Sequence, residues 1–227
     1  MIPIGDNLPR PPAPATQLLI LANVLAFLWQ AVGGPGHLAW SVQALGFVPL
    51  AFHQAPLAEF PRVFTAMFLH GGVAHLLGNM WFLWIFGPPV EGRLGSGRYL
   101  LLYLAAGVGA ALTQAAVTPL SPIPMVGASG AISGVLGAYF VFFPGAQVLT
   151  LFWFVLPFFF WLPAAVYLGY WLLIQFVYGL AGLPGVAWWA HAGGFAVGAA
   201  LAPLLAERRR YRATPFWHTF VKLEEGR

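Results

Sequence analysis

Long apolar runs separated by short stretches rich in proline, glycine and charge dominate the chain. Runs near 16–33, 72–86, 99–117, 129–143, 161–180 and 187–206 each read as a helix. A membrane crossing needs about 20 apolar residues, and several of these runs lie near or below that length. The stretch 147–180 is apolar almost throughout and could be divided into two short spans. Pro157 and Pro163 interrupt it, and a tight reversal would lack turn residues. It is therefore read as an interfacial segment followed by one span. The pattern predicts an all-α polytopic membrane protein, a bundle of six transmembrane helices. No fixed-period repeat is visible. Residues 1–15 form a polar head, 16–206 one six-helix domain, and 207–227 a basic tail.

Composition supports lipid as the solvent. The chain is 60% hydrophobic and only 7% charged, against roughly a quarter charged in soluble domains. It has no cysteine, which excludes a disulfide framework, thiolate chemistry and a Cys-ligated metal site. Arg10 stands alone in a proline-rich lead, and no small-residue cleavage signal follows, so the first run is read as a retained helix rather than a signal peptide. The net charge of +4 is concentrated in Arg208, Arg209, Arg210, Arg212, Lys222 and Arg227, directly after the last run. That placement points to anionic lipid headgroups rather than nucleic acid.

Charge also orients the bundle. Six spans place both termini on one side. With that side in the cytoplasm, the head, the loop 87–98 and the tail hold every Lys and Arg except Arg62, as the positive-inside rule requires. The expectation is N-in, C-in. Spans two, four and six then run from outside to inside, and His75, Ser129 and His191 fall together just below the outer face.

Polar side chains inside spans are candidates for function. No Asp, Glu or Lys lies in a predicted span, and Asp6 is the only aspartate in the chain. An intramembrane aspartyl protease, an HExxH zinc protease, a serine–lysine dyad and a carboxylate-based proton transporter are excluded. Serine with histidine survives, because an imidazole can take a hydroxyl proton near neutral pH. Ser129 lies in Gly127-Ala128-Ser129-Gly130, at a predicted helix start after a proline-rich loop. There it could be a nucleophile beside free backbone N–H groups, or simply an N-cap. Gly130, Gly134 and Gly137 make a smooth face for close packing, and His191, Gly194 and Gly198 share one face of span six. That second face is either a packing motif or a device that carries His191 to Ser129. His75 and Asn79, four apart, are either oxyanion donors or an interhelical polar pair. His70 is read as interfacial and Ser133 as a packing residue. Thr113, Gln114 and Gln175 are read as interhelical hydrogen bonders, and Asn23, Thr16, Gln17 and Gln30 of span one as interfacial or interhelical ones.

Taken together, His75-Leu76-Leu77-Gly78-Asn79, Gly127-Ala128-Ser129-Gly130 and His191-Ala192-Gly193-Gly194-Phe195-Ala196-Val197-Gly198 resemble the rhomboid family, as does the link Val90-Glu91-Gly92-Arg93-Leu94-Gly95-Ser96. The resemblance covers about 61–206. It implies a Ser129–His191 dyad without an acid, and an oxyanion site of His75, Asn79 and the Ser129 N–H. It also implies a water-accessible cavity, and a long loop over 36–61 lying partly in the membrane. The expected function is a serine endopeptidase cleaving transmembrane protein substrates near the outer interface, with no cofactor and no metal. A bacterial inner membrane is the expected location. Two positions depart from the family. Pro61-Arg62 stands where members often have Trp-Arg. Ser133 stands where some carry an aromatic against the catalytic imidazole. A client-binding protein that does not cut is one alternative, though Ser129 and His191 are both kept. A small-solute transporter is another, but inverted repeats and buried carboxylates are missing.

Overall fold

The computed structural model describes residues 1–153 and 156–206. The helices follow the apolar runs closely: α1 Pro14–Val32, α5 Val73–Leu94, α6 Ser96–Val117, α7 Ser129–Phe142, α8 Ala164–Leu180 and α9 Trp188–Leu205. The basic tail lies outside the described residues. α1 and α6 are long and apolar enough to cross a membrane by themselves, and α7 and α8 are shorter apolar helices.

The surface of α1 is inverted relative to that of a soluble protein. Leu18, Leu21, Leu25 and Leu28 form one row, each more than half exposed, while Thr16, Asn23 and Gln30 are buried. In water an amphipathic helix turns its leucines inward. Here the polar row seeks partners inside and the leucines face outward, the arrangement that a hydrocarbon solvent favours. Gln30 donates to Ser41 Oγ at 2.9 Å and accepts from the His70 N–H at 2.9 Å. Asn23, by contrast, donates back to Leu19 of its own helix.

Several expectations are corrected. The stretch 36–61 is largely helical rather than a loop: α2 Gly34–Leu45, α3 Pro49–Gln54 and α4 Pro56–Ala66, each with a proline in its first turn. Proline suits that position because the N–H it lacks has no partner there anyway. The loop expected at 87–98 is also helical, since α5 continues to Leu94 and α6 starts at Ser96. Only Gly95, at φ +77°, breaks the chain, in a backbone region that glycine enters without steric cost. The all-α expectation omits a three-stranded antiparallel sheet of β1 Ile2–Asp6, β2 Gln147–Trp153 and β3 Pro157–Pro163. The segment read as interfacial is the β2–β3 hairpin. Val148 and Thr150 in β2 and the aromatic run 158–161 in β3 favour extended backbone, and the prolines sit at the two ends of an edge strand, where proline is tolerated.

The first fifteen residues are bound to the bundle. Pro88 and Pro89 lie within α5 and lack the N–H groups that would bond the Trp84 and Ile85 carbonyls. The Arg10 guanidinium donates to those same carbonyls at 2.9 and 3.1 Å. In return, Glu91 near the end of α5 caps α1. It accepts from the Ala15 and Thr16 N–H groups at 2.9 and 2.7 Å, from Thr16 Oγ1 at 2.8 Å and from Ser96 Oγ at 2.6 Å. Trp81 donates to the Pro3 carbonyl and Tyr139 to Asp6. This end of the molecule lies opposite the end where α5 and α7 begin.

Candidate active site

The closest helix contact is between α7 and α9, and glycine makes it possible. A Cβ on Gly194 would overlap the Gly130 carbonyl, and one on Gly198 would overlap the Gly134 backbone. Gly137 lies equally close to the backbone of Phe195. With no Cβ between them, the two helices meet backbone to backbone. Ser129 opens α7 and His191 lies in the first turn of α9. The contact therefore brings their side chains into reach, with His191 Nε2 2.7 Å from Ser129 Oγ. That is hydrogen-bonding distance for a base and the hydroxyl whose proton it takes.

Ser129 is not used as a helix cap. Ala128 holds the cap position and makes no side-chain cap bond to the first turn. The hydroxyl is left for His191, and the N–H groups of the first turn have no partner within the helix. Ser133 donates to the Ser129 carbonyl at 2.6 Å.

His75 and Asn79 face the same point from α5. The Gly71 N–H approaches His75 Nδ1 at 3.4 Å, which makes Nδ1 the acceptor and leaves the ring proton on Nε2. A Cβ built on Gly127 would lie 2.7 Å from that Nε2 and 3.5 Å from Asn79 Nδ2. Two donors thus converge beside the residue two before Ser129. Asn79 is buried, and its Nδ2 has no hydrogen-bond partner among the described residues. An unpaired buried donor is costly unless an acceptor arrives, and a negatively charged oxygen would supply one. Gly127 itself, at φ +121°, adopts a conformation that side chains rarely take, and its N–H is held by the Ala66 carbonyl at 2.8 Å.

A cavity of about 720 Å³ opens over this group, lined by His75, Asn79, Gly127, Ser129 and His191 with apolar neighbours such as Met67. It is large enough for a short stretch of extended peptide. No group of three or more His, Cys, Asp or Glu side chains among the described residues is placed to hold a metal ion.

Four polar residues on the helices and loop around the site have positions that sequence reasoning had left general or placed elsewhere. Gln175 of α8 is bonded to His191 Nδ1 at 2.8 Å. Gln114 of α6 accepts from the Ala190 N–H at 3.0 Å and so ties down the start of α9. His70, expected at an interface, is fully buried with its ring edge-on to Phe27 and His75. Thr113, expected to bond between helices, donates to the Gly109 carbonyl of its own helix at 2.8 Å. A glutamine inside an apolar span is a signal for function, but which neighbour it meets depends on how its helix is rotated.

The family profile of the rhomboid domain matches residues 57–208. The chain is 39% identical over 125 residues to the rhomboid protease GluP of Bacillus subtilis (strain 168), covering 54% of this chain and 23% of that protein. It is 35% identical over 156 residues to RHOMBOID-like protein 4 of Arabidopsis thaliana, covering 66% and 35%. It is 31% identical over 133 residues to Rhomboid-related protein 2 of Mus musculus, covering 58% and 43%. The chain thus spans less than half the length of these relatives. The profile match spans α5, α7 and α9, which carry His75, Ser129, His191 and the facing glycines, and the chain belongs to the rhomboid family, whose members are integral to the membrane.

Proposed function

We propose that this protein is an intramembrane serine endopeptidase of transmembrane protein substrates, with Ser129 as nucleophile and His191 as base. The observation that carries the reading is the 2.7 Å approach of His191 Nε2 to Ser129 Oγ beside His75 Nε2 and the unpaired Asn79 Nδ2. The naming of one relative as a rhomboid protease supports it.

In the proposed reaction Ser129 Oγ attacks a substrate carbonyl as His191 Nε2 takes its proton. The carbonyl oxygen becomes an oxyanion that accepts from His75 Nε2–H, Asn79 Nδ2–H and the Ser129 N–H. His191 returns the proton to the leaving amine, and the C–N bond breaks to leave an acyl ester. Water, deprotonated by His191, then hydrolyses the ester and restores Ser129. A helical substrate must unwind to offer its carbonyl, so cleavage favours segments with helix-breaking residues.

α1, α5, α6, α7, α8 and α9 are the six crossing helices of this reading, with both ends of the chain in the cytoplasm and the cavity toward the outside. Residues 16–206 constitute the protease domain, 1–15 the cytoplasmic head and 207–227 a basic tail at anionic lipid. A multi-pass location in a bacterial inner membrane is part of the same proposal.

Labelling of the purified protein in detergent by a fluorophosphonate, beside Ser129→Ala and His191→Ala, tests it. Labelling of the wild type alone is expected. Labelling that survives in both variants would assign the reactivity to another serine. A folded wild type that never labels would favour a protein that holds membrane clients without cutting them. Activity is also expected to fall as pH drops from about 8 to about 5, because protonated histidine cannot accept the serine proton.

A further inference from the structure

Ser129 and His191 account for one nitrogen of the imidazole. The other, Nδ1, lies 2.8 Å from Gln175 Oε1, and Gln175 is buried at 3% exposure on α8. An amide oxygen can only accept, so this contact requires the proton to sit on Nδ1 and leaves the Nε2 lone pair facing Ser129. The amide cannot be reversed without loss, because Gln175 Nε2 donates to the Trp171 carbonyl at 3.1 Å. Turning it over would set oxygen against oxygen there and an NH₂ against Nδ1.

Packing holds the same ring. Trp171, one turn before Gln175, lies over the imidazole with ring centres 5.9 Å apart and planes 31° apart, and Trp188 meets its edge at 6.5 Å. Ser133, at the position from which an aromatic could have supported the ring, is instead bonded to the Ser129 carbonyl. The support for His191 therefore comes from Trp171 and Gln175 of α8, with Trp188 of its own helix at the ring edge.

We propose that Gln175 is a positioning residue of the catalytic base, holding His191 in the Nδ1–H tautomer and aiming Nε2 at Ser129 as the third member of a Ser129–His191–Gln175 relay. The proposal rests on the serine-protease reading above. A neutral amide suits this place. A buried carboxylate would orient the ring equally well but would carry the desolvation cost of a charge inside a membrane protein. The amide also stabilises the imidazolium less than a carboxylate would, so its removal should cost less than the roughly 10⁴-fold of a triad aspartate.

The experiment is the kinetics of fluorophosphonate modification of the detergent-purified full chain, resolved into kinact and KI, with thermal midpoints measured alongside. Gln175→Leu is expected to lower kinact on the order of 10–100-fold with KI unchanged. Gln175→Glu, which can still accept from Nδ1–H, should recover most of that loss. A folded Gln175→Leu that reacts within about threefold of wild type, or a folded Gln175→Glu as slow as the leucine variant, would overturn the role while leaving the protease reading intact. A folded wild type that does not react removes both. Independently of whether the variants fold, ¹⁵N spectra of histidine-labelled wild type, with His191→Ala for assignment, should show a protonated Nδ1 in His191. A protonated Nε2 with a bare Nδ1 overturns the proposal.

Discussion

Replacing Glu91 should weaken the fold from a position far from the site. Its carboxylate is 2% exposed, and every group facing it is a donor: the Ala15 and Thr16 N–H groups and the Thr16 and Ser96 hydroxyls. The hydroxyls can rotate toward other acceptors, but the two amides are fixed at the start of α1 and cannot. Stranding a buried N–H costs about 1–3 kcal/mol, and the lost negative charge at a helix N-terminus adds up to about 2 kcal/mol. Because these effects overlap, Glu91→Ala, which strands both amides, should cost about 3–5 kcal/mol. Glu91→Gln keeps one accepting oxygen but turns an NH₂ toward donors, and should cost about 2–3 kcal/mol. In a chain of this size 1 kcal/mol moves the thermal midpoint by about 2–4 °C, so Glu91→Ala should lower it by about 6–20 °C. Thermal unfolding in mild detergent measures this, with Ser96→Ala, which removes one rotatable donor, as a control expected within about 1 kcal/mol. If Glu91→Ala and Glu91→Gln both fall within about 0.5 kcal/mol of wild type, Glu91 does not hold α1 to the bundle.

Two further outcomes follow from the packing and burial. Gly198→Ala places a methyl against the Gly134 backbone, which cannot yield as a side chain could. It should cost at least about 1–3 kcal/mol and slow fluorophosphonate labelling by separating α7 from α9. Gly145→Ala, where nothing lies within 4 Å of the added Cβ, should change neither thermal midpoint nor labelling. Burial, with His75 nearby as a second cause, holds the His70 imidazole down to about 4 from its ordinary 6.5. The folded state therefore binds fewer protons at this site than the unfolded chain. The associated stability is fully present above about pH 6.5 and is lost as pH falls toward 4, by about 1.4 kcal/mol per unit. Unfolding across that window should show a shallower slope in His70→Phe, and an unchanged slope would refute the assignment.

Helix positions were readable because an apolar run long enough to cross a membrane has few other stable structures. The rows Gly130–Gly134 and Gly194–Gly198 were readable as close-packing faces because helical spacing alone puts such residues on one side. The β2–β3 hairpin was hidden because a short apolar run carries the same signal as a buried helix or a strand, and the strand state depends on pairing with β1 from the far end of the sequence. Arg10 looked isolated, and its role became visible only once α5 was seen to continue through Pro88 and Pro89 and leave two carbonyls free.

The sequence by itself determined which chemistry was available: a serine, histidines and amides within apolar segments, and no carboxylate inside the predicted spans. It also determined which helix faces were smooth enough to touch. Tertiary structure alone decided that α7 and α9 are the helices that touch, and that α8 is rotated to turn Gln175 toward His191. It likewise decided that Glu91 reaches α1. The reason is that helical periodicity specifies which residues share a face, whereas the partner of that face is set by the packing of the whole bundle. A polar side chain in an apolar segment must find a partner somewhere, but its own neighbourhood in the sequence does not say where.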